Sequence, residues 1–86
     1  MGGGMPLPAA DAAVKALAAA RGIAAESITV VSAEPVEWPD ACLGVAQSGQ
    51  MCAQVITPGY RVILQVGDEQ VEYHTDELGA ALALVP

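Results

Sequence analysis

The pattern over residues 60–75 limits the possible fold more than any other part of the sequence. Two runs of alternating apolar and polar residues flank Gly67-Asp68, which is typical of a two-residue hairpin turn. Such a turn pairs Leu64 with Val71, Val62 with Tyr73 and Tyr60 with Thr75. These pairs share one face, so a slip of one residue would exchange the apolar and polar faces. The sequence therefore predicts one antiparallel register.

A helix is predicted before the strands. Residues 9–21 are rich in Ala, and Gly22 follows in a position suited to a left-handed helix cap. Further extended runs are expected at residues 28–33, 36–38, 53–57 and 80–85. Pro35 and a type II turn at Pro58-Gly59 are expected to end two of them. The predicted fold is α+β: one N-terminal helix packed on a three- to five-stranded antiparallel sheet, with one disulfide-closed loop.

A chain of 86 residues is long enough for one small domain. Hydrophobic residues make up 53% and charged residues 15%, a composition that argues against disorder for most of the chain. Residues 1–8 contain three Gly and two Pro and are interpreted as a flexible arm or an added tail. The single domain is expected to span residues 9–86.

The charge balance limits the partners. Three Lys plus Arg stand against ten Asp plus Glu, for a formal net charge of −7. So few cations cannot neutralise a run of phosphates, which argues against nucleic-acid binding and against attraction to an anionic membrane. Residues 41–60 are uncharged but contain too many polar residues, Gly and Pro for a membrane span, so no membrane insertion is expected. No signal peptide is recognised, as expected for an exported protein after signal removal.

Cys42 and Cys52 are the two cysteines, with nine residues between them. A core this small only about offsets the conformational entropy of folding, so a cross-link is expected. Closing this loop would contribute roughly 3 kcal/mol on the chain-entropy model. The alternative is a pair of free thiols near apolar residues. A disulfide implies an oxidising compartment, so the chain is predicted to be secreted or extracytoplasmic.

Four spaced motifs resemble an uncharacterised domain of exported bacterial proteins. They are Trp38-Pro39-Asp40, Cys42-Leu43-Gly44, Cys52-Ala53-Gln54 and Pro58-Gly59-Tyr60. The resemblance covers about residues 12–85. It implies an exported domain with a cystine loop and a following hairpin. It does not imply any particular activity.

Two further resemblances concern the order of elements. A helix followed by strands that close on Tyr73-x-Thr75-Asp76-x-x-Gly79 is similar to PepSY domains, which implies an inhibitory or binding module. Gly2–Gly4, the helix and the run from Gln54 to Gly59 stand in the order of the cystatin parts that plug a cysteine-protease cleft. The Gln-to-Gly spacing is longer than in cystatins and the cystine loop has no counterpart there, so inhibition is implied only by analogy.

Catalytic and metal-binding patterns are not recognised. His74 is the single histidine and is expected to face solvent on the polar side of the hairpin. Three serines, Ser27, Ser32 and Ser48, stand in no strained turn typical of a nucleophile. The cysteine and histidine spacing does not fit zinc, and the acidic pairs lie in turns too short for calcium. The sequence predicts no enzyme, no metal and no cofactor.

The segment around Cys52 is therefore the candidate binding site, and its partner is a protein. The residues assigned to it are Trp38, Gln50, Met51, Ala53, Gln54, Val55, Pro58 and Gly59. A braced extended segment binds without the ordering cost of a free peptide. In a protease inhibitor, the residues that enter the cleft would be Gln50, Met51, Ala53 and Gln54, with Val55 and Pro58 holding the backbone extended. Two structural alternatives stay open: a brace that only keeps the domain folded, and Trp38 as a cover over the helix–sheet core.

Self-association is the second functional hypothesis. A thin core and a spare strand-forming C-terminus at residues 80–85 suit a homodimer or a polymer. Under this hypothesis the partner is a second copy of the chain.

Overall fold

The computed structural model describes residues 7–46 and 49–86. Its elements are α1 (Pro8–Arg21), a 3₁₀ turn (Ala25–Ser27), β1 (Thr29–Trp38), β2 (Thr57–Val66), β3 (Glu69–Asp76) and β4 (Leu82–Leu84). The strands form one antiparallel sheet in the order β1-β2-β3-β4. The predicted α+β fold, with one helix on an antiparallel sheet, is confirmed.

The helix begins one residue earlier than predicted, at Pro8, whose fixed φ suits the first helical position. It ends where predicted. Gly22 takes a left-handed conformation (φ 64°), and the Ile23 amide donates to the Ala18 carbonyl at 3.1 Å. Pro8 therefore belongs to the helix and not to the arm predicted over residues 1–8. Residues 1–6 of that arm lie outside the described residues.

The hairpin has the predicted register. Leu64 lies opposite Val71, and the other two pairs also match. The face that carries these pairs is buried against the helix, which contributes small side chains and Leu17. The core consists of Ala10, Ala13, Leu17, Ile28, Val62, Leu64, Val71 and Tyr73. Turn geometry and side-chain alternation therefore suffice to fix the centre of the sheet.

Two predicted breaks are wrong. β1 continues through Pro35, which an edge strand tolerates because a proline there removes no bond to the neighbouring strand. Pro58 and Gly59 do not form a turn but lie in β2, opposite Glu37 and Val36. Of the run predicted at residues 53–57, only Thr57 is in a strand. Pairing with β1 and β3 outweighs the local turn preference.

The C-terminal segment is not spare. Leu82–Leu84 pairs with β3, and the Val85 amide donates to the Glu72 carbonyl at 3.0 Å. The strand predicted at residues 80–85 therefore exists in shorter form, as the edge strand of the sheet beside β3. The segment is therefore not spare in the sense expected, because one of its edges is paired with β3; the hypothesis that it pairs with another copy stays a prediction.

Candidate functional site

Cys42 and Cys52 form a disulfide, with their Cα atoms 5.6 Å apart. This bond closes the loop between β1 and β2, as predicted from the spacing of the two cysteines. Of the nine enclosed residues, Gln47 and Ser48 lie outside the described residues. The disulfide is compatible with an extracytoplasmic, oxidising compartment.

The first half of the loop is a tight corner built around Asp40. One Asp40 carboxylate oxygen accepts hydrogen bonds from the amides of Cys42 at 3.0 Å and Gly44 at 3.1 Å. Leu43, between them, is buried and has a φ of 61°, a conformation that side-chain-bearing residues adopt at a cost of about 1–2 kcal/mol. The corner therefore needs further contacts to stay in place.

Trp38 supplies one of these contacts, from the end of β1. Its side chain is 7% exposed and extends from β1 across the sheet to β3, where the indole N–H donates to the Thr75 carbonyl at 2.9 Å. The indole stacks on His74, with ring centroids 4.0 Å apart and planes 21° apart. A Cβ on Gly44 would lie 3.4 Å from the indole ring. Trp38 therefore supports the loop corner.

This position differs from both sequence interpretations of Trp38. The register places its side chain on the sheet face opposite the helix, so it does not cover the helix–sheet core. Gly59 belongs to the same arrangement. A Cβ there would overlap the Thr75 carbonyl group and lie 2.9 Å from the Asp76 Cα, so the close approach of β3 requires a glycine. Two of the residues assigned to partner binding are thus buried inside the domain.

His74 is the second contact of the corner and does not face solvent as expected. Its side chain is 12% exposed. Nδ1 lies 2.8 Å from the Leu43 carbonyl oxygen, and Nε2 lies 2.7 Å from a Glu72 carboxylate oxygen. Trp38, Glu72 and His74 come from two strands and lie on one face of the sheet, and His74 contacts the loop at the Leu43 carbonyl oxygen.

Glu72 connects this contact to a chain of charges across the sheet. The Arg61 guanidinium donates to Glu72 at 2.9 Å and to Glu34 on β1 at 3.4 Å. The hydrogen bonds from Arg61 and, second, from His74 lower the pKa of the Glu72 carboxyl below its ordinary value. Glu72 is therefore ionised at neutral pH.

The second half of the loop is exposed. Residues 51–56, the 51–56 segment hereafter, form no helix or strand. Met51 is 96% exposed, Val55 57% and Ile56 67%. The Ala41 amide donates to the Ala53 carbonyl at 2.9 Å. Together with the disulfide at Cys52, this bond fixes the segment at its centre.

The predicted contact residues divide into two groups. Gln50, Met51, Ala53, Gln54 and Val55 are contiguous and exposed, and Pro58 is exposed at the start of β2. The other two, Trp38 and Gly59, are buried beneath the loop. The sequence interpretation missed His74 and Leu43, because nothing local in the chain indicates that they meet.

The loop and β4 line an open cleft of about 680 Å³. Apart from Gln50, the side chains that line it are apolar: Ala41, Cys42, Leu43, Val45, Ala46, Ala81, Leu82, Ala83, Leu84 and Pro86. Polar backbone atoms supply much of the rest of its surface. Asp40 and the two cysteines lie close enough together for a metal ion, but their sulfurs are bonded to each other. Disulfide sulfurs are not thiolate ligands. The cluster thus supports no metal centre while the disulfide is intact.

Comparison with known proteins gives a family but no activity. Residues 10–84 match the profile of a family described as a domain of unknown function (DUF8738). No curated protein and no solved structure gives a significant match. The family match agrees with the resemblance to an uncharacterised domain, whereas the PepSY and cystatin resemblances stay predictions. Within the described residues, no helix is both long and apolar enough to span a bilayer.

Proposed function

Because the chain belongs to the DUF8738 family, whose description states no activity, we propose a function from the geometry of the loop. The chain is a non-enzymatic binding module of the cell exterior that presents the 51–56 segment to a protein partner. In its sharpest form, the module is a protease inhibitor.

The exposure of the 51–56 segment beside the disulfide is the observation that carries this proposal. Large apolar side chains are costly to leave in water, and contiguous ones are typical of interaction surfaces. Here three of them lie within six residues whose backbone is fixed through Cys52 and Ala53. A segment that is already ordered loses little conformational entropy on binding. The arrangement therefore favours recognition over simple bracing.

A protease cleft suits this segment in shape and charge. The segment belongs to no strand of the sheet, so an enzyme can pair with the backbone groups that the bonds of Ala53 and Val55 within the domain do not use. All residues from 41 to 60 are uncharged, so no ion has to be desolvated on docking. In this proposal Gln50 and Met51 lie on one side of Cys52 in the cleft, and Ala53 and Gln54 on the other.

Inhibition assays test the proposal directly. Initial rates of one papain-like and one subtilisin-like protease are measured with increasing amounts of the oxidised protein. We expect slowing of one class with an inhibition constant between roughly nanomolar and micromolar. Met51→Ala should weaken it by about 30-fold, the effect of losing a binding hot spot worth about 2 kcal/mol.

Leu78→Ala is the matched control, because Leu78 is 73% exposed and lies in the turn between β3 and β4, outside the disulfide loop. This variant should inhibit like the wild type. Absence of slowing in both protease classes at about tens of micromolar contradicts the inhibitor proposal. An equal loss of inhibition in Met51→Ala and Leu78→Ala would show that Met51 is not a specific contact with the protease.

Self-association is the alternative function, and the outer edge of β1 favours it. This strand has ten residues, and Val30 and Val31 are exposed on it. An unpaired edge is a template for a second copy. Pro35 and the register shift near Val31 oppose such pairing. Light scattering decides: a mass that rises with concentration supports assembly, and a constant monomer mass contradicts it.

A further inference from the structure

Both ring nitrogens of His74 face oxygen atoms that can only accept hydrogen bonds. The Leu43 carbonyl oxygen carries no proton, so the bond at 2.8 Å requires a proton on Nδ1. The Glu72 carboxylate is ionised, so the bond at 2.7 Å requires a proton on Nε2. A neutral imidazole carries only one of these protons. The arrangement is complete only with His74 as an imidazolium.

We propose that protonated His74 is the positioning residue of the disulfide loop, and that its deprotonation releases the Leu43 corner and, with it, the 51–56 segment. The first part concerns the domain alone. The effect on partner binding rests on the function proposed above.

The Leu43 bond is the one that deprotonation breaks. A hydrogen bond to an ionised carboxylate is about twice as strong as one to a neutral carbonyl. Neutral His74 therefore keeps its proton on Nε2, toward Glu72. Nδ1 then presents a lone pair to the Leu43 oxygen at a distance where the two repel each other. The loop loses its attachment to β3, while the bond within the strand survives.

The conformation of Leu43 makes this loss consequential. Its left-handed backbone is held on one side by Asp40, which accepts from the Leu43 amide and from both neighbouring amides, and on the other by His74, which binds the Leu43 carbonyl. Without the second contact, Leu43 can relax toward ordinary dihedral angles. Cys42 is its neighbour and is bonded to Cys52, so movement of the corner is transmitted to Met51 and Ala53.

Charged groups from four parts of the fold lie around His74. On its own strand, Glu72 accepts from it directly, and Asp76 lies two residues further on the same face. From β2, Arg61 opposes a second positive charge but is shared between Glu72 and Glu34 of β1. From the loop, Asp40 adds a negative charge that is bound to backbone amides. Trp38 stacks on the ring, and such contacts stabilise a cation.

An NMR titration of the wild type tests the proposal without any variant. Nitrogen shifts of the His74 ring report which atoms carry protons, and amide shifts report the loop. We expect both ring nitrogens to be protonated at the acid end. The amides of Leu43, Gly44 and Met51 should then shift with the same midpoint as the ring. Amides at Gly67, in the hairpin turn at the other end of β2, should not follow it.

His74→Phe is the matched variant, because it keeps an aromatic ring under Trp38 and removes both donors. Its loop amides should show no such midpoint and should exchange quickly at every pH. The proposal is overturned if the loop amide shifts do not change as the wild-type ring titrates. It is also overturned if the ring carries a single proton over the whole pH range.

Protease inhibition provides the second readout. Inhibition by the wild type should weaken by roughly five-fold or more once His74 is deprotonated, after correction for the enzyme's own pH profile. Inhibition that is constant over the titration overturns the regulatory step and leaves the proposed function intact. Loop amides that titrate without any inhibition overturn the proposed function and leave the attachment intact.

Discussion

Gly59→Ala tests the close packing beneath the loop. Gly59 has no unusual backbone conformation, so the cost of the substitution is steric. The added Cβ would lie 2.8 Å from the Thr75 carbonyl carbon and 2.9 Å from the Asp76 Cα, and backbone atoms cannot move aside as a side chain can. Overpacking of this kind costs about 1–3 kcal/mol. The shift of Thr75 also removes the acceptor of the Trp38 indole, which adds about 1 kcal/mol.

The expected destabilisation is about 3 kcal/mol, which lowers the Tm of a domain this size by roughly 12–24 °C. Thermal unfolding followed by circular dichroism measures it. Fluorescence of Trp38, the single tryptophan, should also shift to the red as the indole becomes exposed. Gly22→Ala is the control, because its Cβ would meet nothing within 4 Å and only the left-handed backbone costs about 1–2 kcal/mol. A Tm loss for Gly59→Ala no greater than the control's, with unchanged fluorescence, would refute the packing argument.

Three further predictions concern the same face. Replacing both cysteines by serine should lower the free energy of unfolding by about 3 kcal/mol in urea titrations, and an unchanged value would show that the disulfide constrains nothing. Trp38→Phe keeps the stacking and loses the bond to Thr75, so it should cost about 1 kcal/mol in the same assay, far less than Trp38→Ala at about 3–5. Because the pKa of Glu72 is lowered in the folded state, its contribution is present above the ordinary carboxyl pKa and is lost as the pH falls through the folded value. Stability of Glu72→Gln should therefore fall less between neutral and acidic pH than that of the wild type; parallel curves would exclude this contribution.

Local pattern predicted the parts of the fold that local chemistry determines. The hairpin register follows from the turn at Gly67-Asp68 and from the alternation of side chains beside it. The helix end follows from Gly22. The cysteine spacing predicted the disulfide, and the uncharged, cross-linked segment beside Cys52 was predicted to be exposed.

The rest depends on contacts between distant residues. Pro58 and Gly59 have strong turn preferences, but pairing with β1 and the close approach of Thr75 decide their conformation. The contact of His74 with Leu43 and Trp38 joins three segments of the chain, and none of these residues is unusual within its own segment. The sequence could therefore indicate the exposed half of the loop but not the attachment that holds the other half.

The proposed function requires the disulfide-fixed 51–56 segment to recognise a protease. The most direct measurement is inhibition of the same papain-like and subtilisin-like proteases by the oxidised protein and by the double cysteine-to-serine variant, at a temperature where both are folded. Slowing by the oxidised protein, weakened at least about tenfold in the variant, is the predicted result. Equal inhibition by both forms, or none by either at about tens of micromolar, would contradict the claim.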